Sequence, residues 1–213
     1  MQAYFAILKK LFLHPGKFIK SVSKEKDHWK ITKIFAIFYI TLVVLDILFG
    51  VLIKVRAGLP QSPVLTTLTQ LIVGSVFAFV IPYAGSAIIH LTVWLFGGRQ
   101  GYFNTFKPVT YGFVLYLVYD LLSTVVTGIL QLIQPIIPGI PYTQGYATFL
   151  IILSGVFLLV GLIFSLYTQV IGVKVYQKLS TVRAFFGVTL IPLILIGIYI
   201  SLIIVAFSAL SSL

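Results

Sequence analysis

Long apolar runs are the feature that most limits what this sequence can fold into. An α-helix needs about 20 residues to cross the hydrocarbon core of a bilayer. The runs that reach this length are Ile34–Ile53, Leu68–Phe96, Pro108–Gln134, Tyr146–Val173 and Ala184–Leu210. Only 9% of the residues are charged, whereas about a quarter of a soluble domain is charged. The sequence therefore predicts an all-α integral membrane protein with five transmembrane helices, bent at the internal prolines Pro82 and Pro192.

Lysine and arginine are distributed unevenly between the segments that connect these runs. Of the 15 lysine and arginine residues, all but two lie in three segments. These segments are the one before the first run, the one between the second and third runs, and the one between the fourth and fifth runs. Only Lys54 and Arg56 fall on the other side. Because cationic loops stay in the cytoplasm during insertion, the N-terminus is predicted to be cytoplasmic and the C-terminus to lie on the opposite side. The net charge of +11 does not indicate nucleic-acid binding, because the cations gather in a few loops.

The chain divides into a basic N-terminal segment, residues 1–33, and a transmembrane domain, residues 34–213. In the stretch AYFAILKKLFL, aromatic and aliphatic residues recur at helical spacing beside two lysines. This pattern predicts an interfacial amphipathic helix that lies on the cytoplasmic leaflet. The lysines expected to lie near the anionic lipid headgroups of that leaflet are Lys9, Lys10, Lys17 and Lys20. The same lysines could instead serve only to set the topology, and the sequence leaves both interpretations open.

Three ionisable residues lie inside the apolar runs. Asp46 and Asp120 each follow the start of an outward run by 12 residues, which places both about 18 Å from its cytoplasmic end. His90 lies about 10 Å deep on the second run. Such groups are costly in a bilayer and indicate a functional site, here a proton or cation relay. The alternative is that each is bonded to a neighbouring helix and only locks the packing. The polar residues available for that role are Tyr39, Thr41, Gln70, Tyr116 and Tyr119.

The stretch GGRQGYFNTFKP connects the second and third runs. Gly97 and Gly98 follow the last apolar residues, where glycine allows the left-handed conformation that ends a helix. Asn104 or Thr105 is expected to cap the third run, with Pro108 in its first turn. The stretch therefore predicts a tight cytoplasmic hairpin. It does not match a phosphate-binding loop, because no strand precedes it and the glycine spacing differs.

Enzymatic chemistry finds little support in the sequence. The chain has no cysteine, and its three histidines lie in separate segments without the spacing of metal ligands. No serine–histidine–aspartate arrangement stands out. Intramembrane proteolysis would require facing aspartates, and Asp46 and Asp120 match only in depth. We therefore expect a protein that is not an enzyme and that needs no cofactor or metal.

The residues around this hairpin resemble the signature of the Yip family, the Ypt/Rab-interacting proteins with a Yip-one domain. The matching positions are Gly97, Gly98, Gly101, Tyr102, Thr105 and Tyr111. The N-terminal order of Pro15, Phe18 and a basic stretch is also similar, and the resemblance covers essentially the whole chain. Leu115 and Tyr116 stand where family members often carry a proline. The long N-terminal domain of eukaryotic members is missing, so the chain resembles the short prokaryotic type.

The resemblance implies a non-enzymatic adaptor or scaffold in membrane organisation or trafficking. The partners that it implies are the anionic bilayer surface, a membrane protein or small-GTPase-like protein, and a second copy in a homo-oligomer. Without the eukaryotic N-terminal domain, the carry-over of GTPase binding is a weaker expectation. The alternative is a small transporter or channel that uses Asp46, His90 and Asp120.

Overall fold

The computed structural model describes residues 10–22 apart from residue 12, residues 27–60, 63–133 and 144–194, and residue 197. Within these ranges the regular secondary structure is entirely helical. The helices after residue 14 are α1 (Pro15–Ser21), α2 (His28–Arg56), α3 (Val64–Leu95), α4 (Phe103–Ile133), α5 (Gln144–Gln177) and α6 (Thr181–Ile194).

Four of these helices, α2 to α5, are long and apolar enough to cross a membrane. They contain between 29 and 34 residues each. Helix α6 is the described part of the fifth apolar run, whose remainder lies outside the described residues, so a fifth span stays a prediction. Helices α3 and α6 continue through Pro82 and Pro192.

Two helix starts differ from the sequence-based expectation. Helix α2 begins at His28, six residues before the apolar run, because the side chain of Asp27 accepts a hydrogen bond from the Lys30 amide at 3.2 Å. Helix α4 begins at Phe103, so Thr105 lies inside it and the prediction of a cap there was wrong. Pro108 correspondingly falls in the second turn rather than the first.

Helix α4 lies at the centre of the bundle and packs most extensively on α5. At Gly172 of α5 the two backbones approach so closely that a Cβ atom would stand 2.1 Å from Cβ of Pro108. The proline ring fills the space that this glycine leaves. The contact fixes α5 beside the first turns of α4.

We call the end of the bundle where α2 and α4 begin and α3 and α5 end the basic end. Helix α1 docks there against α4 and α5. The Phe18 ring meets the Tyr111 ring edge to face at 4.9 Å between centroids, and the Tyr176 hydroxyl donates to the carbonyl of Ile19. Phe18, Ile19 and Leu11 are buried. This part of the N-terminal segment therefore packs on the bundle, whereas residues 1–9 lie outside the described residues.

Helix α3 is joined to its neighbours by side-chain hydrogen bonds in its second half. Tyr83 and Thr32 of α2 share a bond between their hydroxyls at 3.0 Å, and the Thr92 hydroxyl bonds to the carbonyl of Gly187 in α6. In its first half α3 meets α2 by packing, with Gly74 against the side chain of Val43. Among the described residues, α3 is thus fixed by directional bonds mainly near the basic end.

Candidate functional site

The connection between α3 and α4 ends α3 in the manner predicted for its glycines. Gly97 has a φ of +95°, and its amide donates to the carbonyl of Trp94 at 3.0 Å. The amide of Gly98 donates to the carbonyl of Val93 at 2.9 Å. This pair of bonds is a Schellman motif, which satisfies carbonyls that the end of a helix leaves without partners. Gly101, with a φ of +86°, makes the second reversal before α4.

The last residue of α5, Gln177, holds this connection in place. Its Nε2 donates to the carbonyl of Gly101 at 2.8 Å and to the hydroxyl of Thr105 at 2.9 Å. Its Oε1 accepts a hydrogen bond from the amide of Gln100 at 2.9 Å. The side chain is almost fully buried. The side-chain amide of Gln177 therefore connects the end of α5 to Gln100, Gly101 and Thr105, although Gln177 follows Gly101 by 76 residues in the chain.

His90 joins the same set of contacts from α3. Its Nδ1 lies 2.9 Å from the hydroxyl oxygen of Thr105, and its ring meets the Tyr102 ring edge to face at 5.7 Å. Because Thr105 already accepts a bond from Gln177, its own hydrogen is available to an unprotonated Nδ1. We call His90, Tyr102, Thr105 and Gln177 the turn cluster.

Tyr102 fixes the turn cluster to the middle of α3. Its hydroxyl donates to the carbonyl of Tyr83 at 2.9 Å. Burial, with a smaller contribution from Tyr83, raises the pKa of Tyr102 to about 12. The hydroxyl therefore stays protonated and remains a donor at physiological pH. The family-motif residues Tyr102 and Thr105 thus act in this structure as ties between helices.

Tyr111, the last motif residue, lies outside the turn cluster and receives helix α1 through Phe18. Lys107 lies nearby. The sequence analysis counted it among the cations of a connecting loop, but in the structure it lies inside α4. It is only 3% exposed, with its Nζ 5.1 Å from the ring centroid of Phe103 and 4.7 Å from that of Tyr176. Two aromatic faces therefore stabilise the ammonium by cation–π attraction.

Of the lysines predicted to face lipid headgroups, Lys10, Lys17 and Lys20 are exposed, and Lys9 lies outside the described residues. Lys17 and Lys20 belong to α1, whose buried residues Phe18 and Ile19 face the bundle. The docked helix consequently turns its cations away from the protein. Arg99, in the connection between α3 and α4, is also exposed and stacks over the Trp94 ring at 4.3 Å.

The structure brings two of the three intramembrane ionisable residues together. The Thr124 hydroxyl donates to Oδ1 of Asp46 at 3.2 Å, and Asp120 lies one turn before Thr124 on α4, so both aspartates lie at the same level of the contact between α2 and α4. His90 does not join them, because its partner Thr105 precedes Asp120 by 15 residues on α4, or about 22 Å of helix. The three residues therefore form no single relay in this structure.

Asp46 faces a groove of about 440 Å³ between α2 and α3. Its polar lining comes from Tyr39, Asp46, Lys54, Thr67 and Gln70. Apolar walls come from residues such as Val51, Val73 and Phe77, which are exposed on the side of the bundle. Among the described residues, no group of three or more potential metal ligands occurs.

These features define a class of protein. Four helices long and apolar enough to span, with apolar side chains exposed along their lengths, make this an integral, multi-pass helical membrane protein. The particular family follows from comparison with known families. The sequence matches the family model of the Yip1 domain over residues 9–204, which is nearly the whole chain, and the protein belongs to that family. No curated protein and no solved structure matches it.

Family membership confirms the resemblance that the hairpin motif indicated. The match includes α1, the turn cluster and helices α2 to α6. Sequence reasoning had picked out His90, Tyr102 and Thr105 but missed Gln177, Tyr83, Lys107 and Tyr176. No local pattern marks these four, because each acts through a partner on another helix.

Proposed function

We propose that this protein is a non-enzymatic membrane scaffold or adaptor whose basic end recruits a partner protein to an anionic bilayer surface. The single observation that carries the proposal is the docking of α1. Phe18, Ile19 and Tyr176 hold the helix against the bundle, so that Lys17 and Lys20 face outward at a fixed position. A tail that served only to set topology would not require such a contact.

The charge distribution supports a cytoplasmic position for this surface. The basic end carries nearly all lysine and arginine residues of the chain, and positive loops stay on the cytoplasmic side. Each lysine near an anionic leaflet contributes about 1 kcal/mol of attraction. The exposed Lys10, Lys17 and Lys20 would together contribute about 3 kcal/mol, enough to hold α1 against the headgroups while it stays docked.

Family membership supports the adaptor role, because the Yip family is associated with membrane trafficking and is not known for enzymes. A small-GTPase-like protein or another membrane protein is the partner class that this surface would serve. The turn cluster has a supporting part in this function. It fixes the ends of α3, α4 and α5, and Tyr111 and Tyr176 on these helices receive α1.

Photocrosslinking from native membranes tests the proposal. A photoreactive residue in place of Lys17 or Lys20 should yield a discrete crosslinked protein, and one in place of Arg56, exposed at the other end of α2, should not. Phe18→Ala should remove the product by releasing α1. The matched control is Leu13→Ala, because Leu13 is 59% exposed on the same segment. Absence of any protein product from the basic end would overturn the proposal.

Transport is a second candidate, favoured by the hydrogen bond from Thr124 to Asp46, which sets Asp46 of α2 at the level of Asp120 on α4. Proton and monovalent-cation flux in liposomes distinguishes it from the adaptor role. If the protein conducts, Asp46→Asn and Asp120→Asn should each stop the flux, whereas His90→Gln should leave it. Silent vesicles under proton and cation gradients would remove this candidate.

A further inference from the structure

The groove between α2 and α3 has chemistry that the adaptor role does not use. Five of its twelve lining residues are polar, it opens on the side of the bundle, and Lys54 lies near one end with Asp46 further along α2. The two residues are eight positions apart on α2, or about 12 Å along its axis. We propose that this groove binds the headgroup of a phospholipid that carries a primary amine, of the phosphoethanolamine type.

Charge complementarity selects a zwitterion. Asp46 offers a carboxylate with about four acceptor positions, and the Thr124 hydroxyl occupies one of them. A ligand ammonium would fill others and would offset the cost of a carboxylate at this depth in the bilayer. Lys54 lines the same groove, and its flexible four-carbon stem lets its ammonium approach the ligand phosphate. The second carboxylate, Asp120, lies one turn before Thr124 on α4 and adds negative potential near Asp46.

Hydrogen bonding selects a primary amine over a choline. A primary ammonium donates three hydrogen bonds, whereas a trimethylated nitrogen donates none. The groove offers acceptors for more than one such bond. Besides the free positions on Asp46, the Tyr39 hydroxyl and the amide oxygen of Gln70 line it. An anionic headgroup without an amine would instead meet the carboxylate with repulsion.

The apolar walls identify the ligand as a membrane lipid rather than a water-soluble zwitterion. Val51, Val73 and Phe77 line the groove and are 38%, 44% and 47% exposed on the side of the bundle. In a spanning protein these surfaces meet acyl chains. A lipid can therefore enter from the bilayer and keep its chains on these walls while its headgroup reaches Lys54 and Asp46.

Native mass spectrometry of the full-length protein with added lipids tests the proposal. Lipids with matched acyl chains and ethanolamine, choline or glycerol headgroups are compared, and soluble phosphoethanolamine is added as a competitor. We expect the ethanolamine lipid to bind several-fold more tightly than the other two. Asp46→Asn should weaken its binding about tenfold, since it removes charge-assisted hydrogen bonds, and should abolish the preference over choline.

A second variant keeps the test decisive if Asp46→Asn fails to fold. A Cβ atom at Gly50 would meet nothing within 4 Å, so the side chain of Gly50→Leu would project into the groove and block it without a clash. Gly155→Leu is the matched control, because Gly155 of α5 is equally unobstructed and lies outside the groove. We expect the ethanolamine preference to disappear in the first variant and to persist in the second.

Three results would overturn the proposal. The first is equal affinity for the ethanolamine and choline lipids in the unaltered protein. The second is unchanged lipid binding in folded Asp46→Asn or Gly50→Leu. The third is competition by soluble phosphoethanolamine as effective as that of the lipid, which would exclude any contribution from the acyl chains. The adaptor proposal does not depend on any of these outcomes.

Discussion

Replacing Gln177 with leucine should loosen the connection between α3 and α4 and destabilise the whole basic end. The substitution nearly preserves side-chain volume, so it removes three hydrogen bonds without opening a large cavity. Hydrogen bonds between membrane helices contribute about 0.6 kcal/mol each on average, and those in water-facing folds about 1 kcal/mol. Three bonds together give an expected loss of about 2–3 kcal/mol in the free energy of unfolding.

Reversible unfolding in mixed micelles measures this free energy, and hydrogen exchange of the backbone amides locates the change. In Gln177→Leu we expect faster exchange at Gln100, whose amide loses its acceptor. Gln70→Leu is the matched control, because Gln70 is exposed on α3 and should change stability by less than about 0.5 kcal/mol. The reasoning fails if Gln177→Leu changes stability as little as the control does and leaves the exchange of Gln100 unaltered.

Three further predictions concern the turn, the docked helix and the topology. Gly97→Ala should cost about 1–2 kcal/mol in thermal unfolding, because alanine must adopt a φ of +95°, whereas Gly155→Ala should cost nothing; equal effects would contradict this. Phe18→Ala should leave α2 to α5 intact but raise the protease sensitivity of α1, and an unchanged digestion pattern would refute the docking argument. Because the chain lacks cysteine, an impermeant maleimide should label Lys54→Cys but not Lys20→Cys in intact cells, and the reverse pattern would invert the orientation.

The sequence was sufficient to predict features that depend on neighbouring residues or on distance along a helix. Gly97 ends α3 because only a local conformational preference is involved. Asp46 and Asp120 were predicted at one depth because helix rise is uniform. The hydrogen bond to Asp46 from Thr124, one turn after Asp120, is in keeping with that prediction. His90 was predicted to lie about 8 Å nearer the cytoplasmic end than the aspartates. Its hydrogen bond to Thr105, about 22 Å of helix before Asp120, places it in the turn cluster instead.

Contacts between distant parts of the chain could not be predicted in the same way. Gln177 follows an ordinary apolar helix, and nothing near it in the sequence identifies the Gly101 carbonyl as its partner. Lys107 has the composition of a loop cation, yet the rings of Phe103 and Tyr176 enclose it. Most of the stretch AYFAILKKLFL lies outside the described residues, so the interfacial helix predicted there stays a prediction. The sequence did not indicate that α1, which follows that stretch, would meet Tyr111 and α5.

The uneven fixing of α3 has a mechanical consequence. Within the described part of the chain, its side-chain hydrogen bonds to other helices begin at Tyr83 and continue toward the basic end, while its first half borders the lipid-facing groove by packing. A helix that is hydrogen-bonded to its neighbours only at one end bends more easily at the other end. We therefore expect the first half of α3 to move relative to α2 and to widen or narrow the groove. The hydrogen-bonded half stays in place beside the α1 surface, so the proposed binding of a lipid in the groove need not alter the proposed recruitment at the basic end.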